Sequence, residues 1–353
     1  MKNFFERNPK IILLTVNAIF IGLLFFVLSL DILQDAPQAE KYSVLDEAMY
    51  RLRCHGKRNI LLRENKPYQN SFRIPPYDLS KKYVFRVDGN GFVEPSKIHE
   101  NSDLNIFFLG GSTTECETVD ELNRFPYLVG RLLEKSTGKK INSYNAGKSG
   151  NSSIHSVNNL LNKIVPLRPH IVVLMENIND LSTLLYEATY WNQNNSRSNL
   201  SCLSKNNASL RNLANEWDES PFVGKFSDPD HQKRIKEEYR RILKLFVAVT
   251  KASGALPVLM TQANKIENNP NFTTNRGDKN FNRTYRKLYL EFKNVMIQVA
   301  KEEGVMLIDL AREVKNNNEK YLYDSVHFNN EGSQFVAKII AKKLEPAVKL
   351  KRK

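Results

Sequence analysis

The feature that most constrains the fold is a regular alternation of two hydrophobic periods after residue 103. Short apolar runs alternate with longer segments in which apolar residues recur every three to four positions. The runs are typical of strands buried on both faces of a parallel sheet, and the longer segments of amphipathic helices. Strands are predicted near residues 104–109, 141–144, 170–175, 255–261 and 305–310. This alternation predicts an α/β fold with helices on both faces of the sheet.

Two motifs at the expected carboxyl ends of the strands, where ligands bind in open sheets, carry residue types used in nucleophilic catalysis. The first strand leads into Gly110, Gly111 and Ser112. Two glycines permit a sharp turn that exposes the serine, with backbone amides able to face an oxyanion. Asp324 lies three residues before His327. Histidine is the usual general base, and a carboxylate orients its ring.

Two further segments offer donors for an oxyanion. Gly150 follows the second predicted strand within Lys-Ser-Gly-Asn-Ser-Ser, and Asn179 follows the third within Glu-Asn-Ile-Asn-Asp. A backbone N–H at a glycine and a side-chain amide are group types that an oxyanion hole uses. Each motif alone is typical of an ordinary turn, a phosphate loop or a helix cap. The indication of catalysis comes from all of them together.

In this order, the segments resemble the SGNH hydrolase superfamily, also called GDSL-like lipases and esterases, over about residues 103–346. Gly-Gly-Ser-Thr in the first block resembles a membrane-anchored subset. The resemblance implies that Ser112 is the nucleophile and that Gly150 and Asn179 donate to the oxyanion. It also implies that His327 is the general base and that Asp324 orients it. Gly111 replaces the usual aspartate of the first block, and Asn177 replaces the usual first glycine of the third.

The resemblance also implies a flavodoxin-like three-layer sandwich around a five-stranded parallel sheet with strand order 2-1-3-4-5. It implies neither a metal nor an organic cofactor. The three cysteines form no CxxC or Cys/His cluster of the kind that binds zinc. Outside the cytosol, Cys54 and Cys202 are the pair we expect to form a disulfide, because Cys116 lies within the nucleophile motif.

Residues 11–30 form an uncharged apolar run, and a bilayer core requires about 20 helical residues. Lys2, Arg7 and Lys10 precede this run and Asp31 follows it, so the positive-inside rule places the N-terminus in the cytoplasm. The alternative is a cleaved signal peptide, whose apolar region is usually only about 7–15 residues long. The sequence therefore predicts an uncleaved signal anchor with one transmembrane helix. The remainder would be extracytoplasmic, in the periplasm or outside the cell of a bacterium.

Composition divides the chain into five predicted parts. They are a cytoplasmic N-terminus (1–10), a membrane helix (11–30), a stalk and entry segment (31–102), a hydrolase domain (103–346) and a basic tail (347–353). Residues 186–233 interrupt the alternation, are rich in Asn, Ser and Asp, and are too long for an ordinary connection. Two interpretations of this insertion remain open: it is a lid or substrate-binding insertion, or it is merely an excursion from the fold.

The 353 residues include 52 Lys and Arg against 38 Asp and Glu, which gives a net charge of +14. With 41% apolar and 25% charged residues, the composition excludes a disordered chain, a collagen-like chain and a small disulfide scaffold. No zinc-finger or basic-zipper motif accompanies the basic excess. We therefore expect a basic surface near a membrane and no nucleic-acid partner.

These observations predict a serine-dependent ester hydrolase or acyltransferase that works outside the cytoplasm through an acyl-enzyme on Ser112. The resemblance implies an O-acylated glycan or another small ester as the partner, because family members with an N-terminal anchor often act on acylated envelope glycans. The polar insertion favours a hydrophilic substrate over a lipid. One alternative is a non-catalytic glycan-binding or scaffold protein that retains the fold, since fold does not fix function. The other is a lipase or lysophospholipase that acts beside its own membrane.

Overall fold

The computed structural model describes residues 68–74, 78–190, 227–273 and 279–350. Its strands are β1 (Tyr68–Ile74), β2 (Asp78–Val87), β3 (Leu104–Gly110), β4 (Ile141–Asn145), β5 (Ile171–Met175), β6 (Leu256–Met260) and β7 (Met306–Ile308). Its α-helices are α1 (Ser112–Glu115), α2 (Phe125–Thr137), α3 (Ser153–Asn159), α4 (Ile178–Glu187), α5 (Pro229–Ala252), α6 (Lys279–Glu302), α7 (Leu310–Val314), α8 (Asn318–Tyr321) and α9 (Asn330–Leu350).

Five strands form a parallel sheet in the order β4-β3-β5-β6-β7, which is 2-1-3-4-5 counted along the chain. The predicted α/β class and strand order are confirmed. In β3, Ile106 pairs with Ile171 of β5, and Gly110 with Met175. Because the strands are parallel, their carboxyl ends meet at one edge of the sheet. The segments that follow β3, β4 and β5 therefore come together there.

Alternate residues of β3 enter two separate hydrophobic clusters. Phe107 and Leu109 pack in the cluster that includes α3, α4, α5 and α6. Ile106 and Phe108 pack in the cluster that includes α2, α7 and α9. Complete burial of a side chain of this size stabilises a fold by roughly 1.5–3 kcal/mol. Helices thus cover both faces of the sheet and hold its carboxyl edge in place.

The helix predicted over residues 154–165 is shorter and less regular than expected. α3 ends at Asn159, and the chain continues as a π-helical segment, Leu160–Ile164, and a 3₁₀ turn, Val165–Leu167. Pro166 lies inside that turn, and its ring nitrogen has no hydrogen to donate. Regular α-helical bonding therefore cannot continue past it.

Residues before 103 also pack on the α/β unit. β1 and β2 form an antiparallel hairpin, and Val93 pairs with Asn145 at the end of β4. Arg124, only 1% exposed, donates to the carbonyls of Val84, Glu94 and Cys116. One buried guanidinium therefore ties the hairpin to the chain just after the first glycine-serine turn.

Several predicted features lie outside the described residues. They are the apolar run 11–30, Cys54 and Cys202, and positions 191–226 of the insertion. Within the part of the chain that the structure describes, no helix is both long and apolar enough to cross a bilayer. Cys116 is described as a buried free thiol, and burial raises its pKa to about 12.

Candidate active site

The turn between β3 and α1 leaves little space for side chains at its two glycines. A Cβ on Gly110 would lie 2.6 Å from the carbonyl oxygen of Met175, and one on Gly111 would overlap the side-chain amide of Asn179. Ser112 begins α1 directly after these glycines and is partly exposed. The absence of a side chain at position 111 thus makes room for the Asn179 amide beside the serine.

Three side chains form a continuous hydrogen-bonded path from this serine. His327 Nε2 lies 2.7 Å from Ser112 Oγ, and His327 Nδ1 lies 2.7 Å from Asp324 Oδ2. The consistent assignment has Nδ1–H donating to the carboxylate and Nε2 accepting from the serine hydroxyl. The Tyr323 ring stacks on the imidazole, with centroids 5.6 Å apart and planes within 13°. The Asp324 carboxylate and the Tyr323 ring therefore both hold the His327 imidazole in this orientation.

Asp324 is held as an anion. Partial burial alone would raise the pKa of its carboxyl group, but the hydrogen bond and charge of His327 outweigh that effect. The backbone N–H groups of Val326 and His327 also donate to Oδ1, at 2.9 and 2.8 Å. The net pKa of Asp324 lies below its usual value. An ionised carboxylate is the partner that stabilises a protonated imidazole.

The two predicted donor segments also meet beside the turn that carries Ser112. Asn179 Nδ2 donates to the carbonyl of Asn151 at 2.7 Å, which holds the side-chain amide beside the Ser112 turn. Lys148 N donates to the carbonyl of Gly110 at 3.0 Å. Gly150 lies between these two anchored residues with a φ of 83°, a backbone conformation that favours glycine. The structure therefore brings all five predicted residues to one end of the sheet.

Glu115 fixes the Gly150 segment and was not predicted from the sequence. Its buried carboxylate accepts hydrogen bonds from the backbone N–H of Ser149, at 2.6 Å, and from the Ser149 hydroxyl. A Cβ on Gly147 would lie 2.5 Å from the backbone nitrogen of Glu115, so the segment packs directly on α1. The sequence does not mark Glu115 as a buried residue, because glutamate side chains usually face solvent.

Gln262, after β6, is a second unpredicted residue. Its side chain donates to Thr113 Oγ1 at 2.7 Å and accepts from the backbone N–H of Ile178 at 3.2 Å. One buried amide thus joins the serine helix to the start of α4. Asn177, the departure from the family's glycine, has an extended φ of −164° that any residue adopts, and its Nδ2 donates to the Tyr289 carbonyl.

Asp180, directly after Asn179, is a second aspartate of the site besides Asp324. It accepts from the backbone N–H of Ser153 at 2.9 Å, from the Ser153 hydroxyl at 3.1 Å, and from the Tyr190 hydroxyl. Complete burial raises the pKa of Asp180 to about 6, although these hydrogen bonds oppose the effect. Burial, followed by the charge of Asp180, raises the pKa of Tyr190 well above its usual value. The carboxylate joins the first residue of α3 to α4, which carries Asn179.

The GDSL-like lipase/acylhydrolase family matches residues 108–335, which is more than half of the chain. The chain belongs to this family. It is an ester hydrolase of the SGNH type, as the sequence predicts. No curated protein matches the chain as a relative.

Three solved structures are similar to this family member. Axe2, an acetylxylan esterase from Geobacillus stearothermophilus, is 19% identical, with 70% of this chain and 96% of that chain covered and a TM-score of 0.45. A lipase/acylhydrolase from Enterococcus faecalis is 16% identical, with 71% and 100% covered and a TM-score of 0.46. LAE5, an α/β hydrolase enzyme from the metagenome of Lake Arreo in Spain, is 19% identical, with 71% and 98% covered and a TM-score of 0.44.

Proposed function

We propose that this protein is a membrane-anchored, extracytoplasmic enzyme that removes or transfers the acyl group of an O-acylated glycan. The observation that carries the catalytic part is the unbroken path from Ser112 Oγ through His327 to Asp324, with 2.7 Å at both steps. These distances are those of a nucleophile, a general base and an orienting carboxylate. No rearrangement of the three side chains is needed before a proton can move.

In the first half-reaction, Ser112 Oγ bonds to the ester carbonyl carbon while its proton passes to His327 Nε2. The resulting imidazolium is stabilised by Asp324, whose carboxylate stays ionised. When the tetrahedral intermediate collapses, the bond to the alcohol oxygen breaks. Nε2–H then protonates that oxygen, and the alcohol leaves. The acyl group remains on Ser112 as an ester.

In the second half-reaction, the acyl-enzyme is attacked by water or by a sugar hydroxyl. His327 Nε2 takes the proton of the attacking group, and the Ser112 oxygen recovers it when the acyl bond breaks. Water as acceptor makes the enzyme an esterase, and a sugar hydroxyl makes it an acyltransferase. The same residues perform both reactions.

The negative oxygen of each tetrahedral intermediate is assigned to three donors: the backbone N–H groups of Ser112 and Gly150 and the Asn179 side-chain amide. The position of the Asn179 amide nitrogen, directly beside Gly111 and so next to Ser112, supports this role. Donors that are already oriented stabilise a developing oxyanion strongly, because they need not reorganise during the reaction.

The glycan substrate and the location are supported by the sequence. The 186–233 insertion is polar and follows the strand that leads to Asn179, so it favours a hydrophilic ligand over a lipid. The uncharged run 11–30 has basic residues before it and Asp31 after it, which supports a cytoplasmic N-terminus. A C-terminal reporter that is active only in the cytoplasm should therefore stay inactive, and a signal would contradict this topology.

The decisive experiment is covalent labelling of the full chain with a fluorophosphonate, followed by turnover on acetylated glycans and short-chain esters. Wild-type protein should be labelled, and Ser112→Ala should lose both labelling and turnover. Ser136→Ala, in α2, is the control for loss of a serine hydroxyl and should behave as the wild type. A folded wild-type protein that shows neither labelling nor ester turnover would favour the non-catalytic glycan binder.

A further inference from the structure

A polar cavity lies next to the Asp324–His327 turn and outside the residues assigned to catalysis. Its volume is about 550 Å³, and it lies between the segment after β6 and the segment after β7. Five asparagines, three lysines and one glutamate line it. We call it the lysine–asparagine cavity. The absence of apolar side chains from its lining makes it unsuited to an acyl chain or a lipid tail.

Both walls of the cavity are fixed to the turn that carries the histidine. On the β6 side, the backbone N–H of Lys265 donates to the carbonyl of Ser325 at 2.8 Å. On the β7 side, Leu322 pairs with Phe328, and Asn329 Nδ2 donates to the Lys320 carbonyl at 2.8 Å. The cavity is therefore an extension of the active-site framework.

Sheet geometry gives the separation between the strands that lead to the cavity and the strand that leads to the nucleophile. β6 lies two strands from β3, and β7 lies three strands away. Neighbouring strands are about 4.8 Å apart, so the carboxyl ends of β6 and β7 lie roughly 10–15 Å from that of β3, and the cavity residues follow those ends. A short oligosaccharide spans such a distance. One polymer can thus place its ester at Ser112 and a neighbouring sugar in the cavity.

The charges of the lining favour an anion. Lys265 is paired with Glu319 at 2.9 Å, and Lys320 with Glu331 at 3.3 Å. Lys315 makes no ion pair with any residue of the described ranges. Its ammonium group can therefore form an ion pair with a negatively charged ligand without breaking an existing ion pair. Asparagine amides both donate and accept hydrogen bonds, as sugar hydroxyl groups require, and two of those in the lining, Asn268 and Asn318, already donate to backbone carbonyls.

We propose that the lysine–asparagine cavity is a substrate subsite for a carboxylate- or phosphate-bearing sugar unit, and that Lys315 binds its negative charge. The inference rests on the proposed glycan esterase function and narrows its substrate to an anionic O-acylated glycan. The volume is within the range of about 300–1,000 Å³ that is usual for ligand sites.

The first test measures substrate selectivity. The ratio of kcat/KM for acetylated polygalacturonate to that for neutral acetylated xylan should fall about tenfold in Lys315→Ala, through a higher KM for the anionic polymer. Lys338→Ala is the matched control, because Lys338 is exposed on α9 and makes no ion pair in the described ranges. An unchanged ratio in Lys315→Ala, or an equal fall in Lys338→Ala, would overturn the subsite.

The second test needs no turnover, and so separates the subsite from the catalytic proposal. Full-length Ser112→Ala protein is titrated calorimetrically with oligogalacturonate, with an oligomer of glycerol phosphate and with neutral xylo-oligosaccharide. At least one anionic ligand should bind more tightly than the neutral one, and adding Lys315→Ala should weaken that binding about tenfold. The preferred anion identifies the source of the charge. Equal binding of all three ligands contradicts the subsite, even if the wild-type enzyme hydrolyses esters.

Discussion

The two sides of Ser112 each depend on an aspartate, but the two aspartates are in opposite environments. The Asp324 side chain is 33% exposed and faces His327, which can carry a positive charge. Asp180 is 0% exposed and is held by hydroxyl and N–H groups, with no ion pair to any residue that the structure describes. The Asp324 side of the site, which we call the charge-holding side, stabilises a positive charge on His327 while a proton moves. The Asp180 side, which we call the shape-holding side, keeps the shape of the oxyanion pocket.

The pKa values of the two carboxyl groups follow from this difference. For Asp324, the bonds from His327 and the backbone overcome burial, and the pKa falls below its usual value. For Asp180, burial overcomes the bonds, and the pKa rises to about 6. A carboxylate of the first kind should matter for turnover, and one of the second kind for geometry and stability. The following variants test that division.

Asp324→Asn should have the largest effect, on the charge-holding side. The asparagine fits the same space but cannot stabilise an imidazolium or enforce the correct histidine tautomer. We expect kcat to fall by about 10⁴-fold, as in other triads, with little change in KM. Asp228→Asn is the matched control, because Asp228 caps α5 and asparagine caps helices equally well. A fall of less than tenfold in Asp324→Asn would remove Asp324 from the mechanism.

Asn179→Ala should have the next largest effect, on the shape-holding side. It removes one oxyanion donor but leaves Ser112, His327 and their hydrogen bond in place. A loss of about 10²–10³-fold is expected, in kcat more than in KM, because the donor acts mainly in the transition state. Labelling by a fluorophosphonate should persist at a reduced rate.

The neighbouring Asn177 provides the control for that variant. It is another buried asparagine at the start of α4, but its amide donates to the Tyr289 carbonyl. Asn177→Ala should therefore lower the free energy of unfolding and leave kcat within a few-fold of the wild type. If both alanine variants lose turnover equally, the role of Asn179 is in packing α4.

Glu115→Ala should have a smaller effect, because Glu115 is a positioning residue for the Gly150 segment. Without its carboxylate, the Ser149 N–H and hydroxyl lose their common acceptor. We expect kcat to fall by about tenfold, which corresponds to about 1.4 kcal/mol of lost transition-state stabilisation. Glu115→Gln retains an acceptor oxygen and should restore most of kcat. Equal kcat values for the two variants would show that the loss is not specific to this contact.

The sequence was informative where function needs particular residue types at fixed spacing. Ser112, Asp324 and His327 could be placed because a nucleophile, a carboxylate and a base leave few chemical alternatives. The sheet order followed from the resemblance carried by those motifs. Gln262 could not be placed, because its role depends on two backbone groups that are distant in sequence. Glu115 was missed because nothing local to a glutamate indicates burial, and burial is set only when the Gly147 segment packs on α1.

Asp180→Asn should have the smallest effect on turnover and a distinctive effect on stability. The amide oxygen can accept from Ser153 N–H and the Tyr190 hydroxyl, and the amide nitrogen can donate to Ser153 Oγ. The shape of the pocket is therefore kept, and kcat at neutral pH should stay within a few-fold of the wild type. In the wild type, by contrast, Asp180 titrates near pH 6 when folded and near its ordinary 3.8 when unfolded.

Between those two pH values, folding of the wild type takes up a proton at Asp180. Its contribution to stability is thus complete below the unfolded pKa and is lost as pH rises through about 6. Asp180→Asn cannot titrate, so urea unfolding should show its stability gaining about 2 kcal/mol on the wild type between pH 4 and pH 7. Asp324→Asn should show the opposite sign in a lower pH range, because the lowered pKa of Asp324 contributes stability that is complete above its ordinary 3.8 and is lost as pH falls through the folded value. If the unfolding free energies of the wild type and Asp180→Asn change with pH in parallel, the charge of the buried carboxylate is balanced by a partner. The two sides of the site would then not differ in the way we infer.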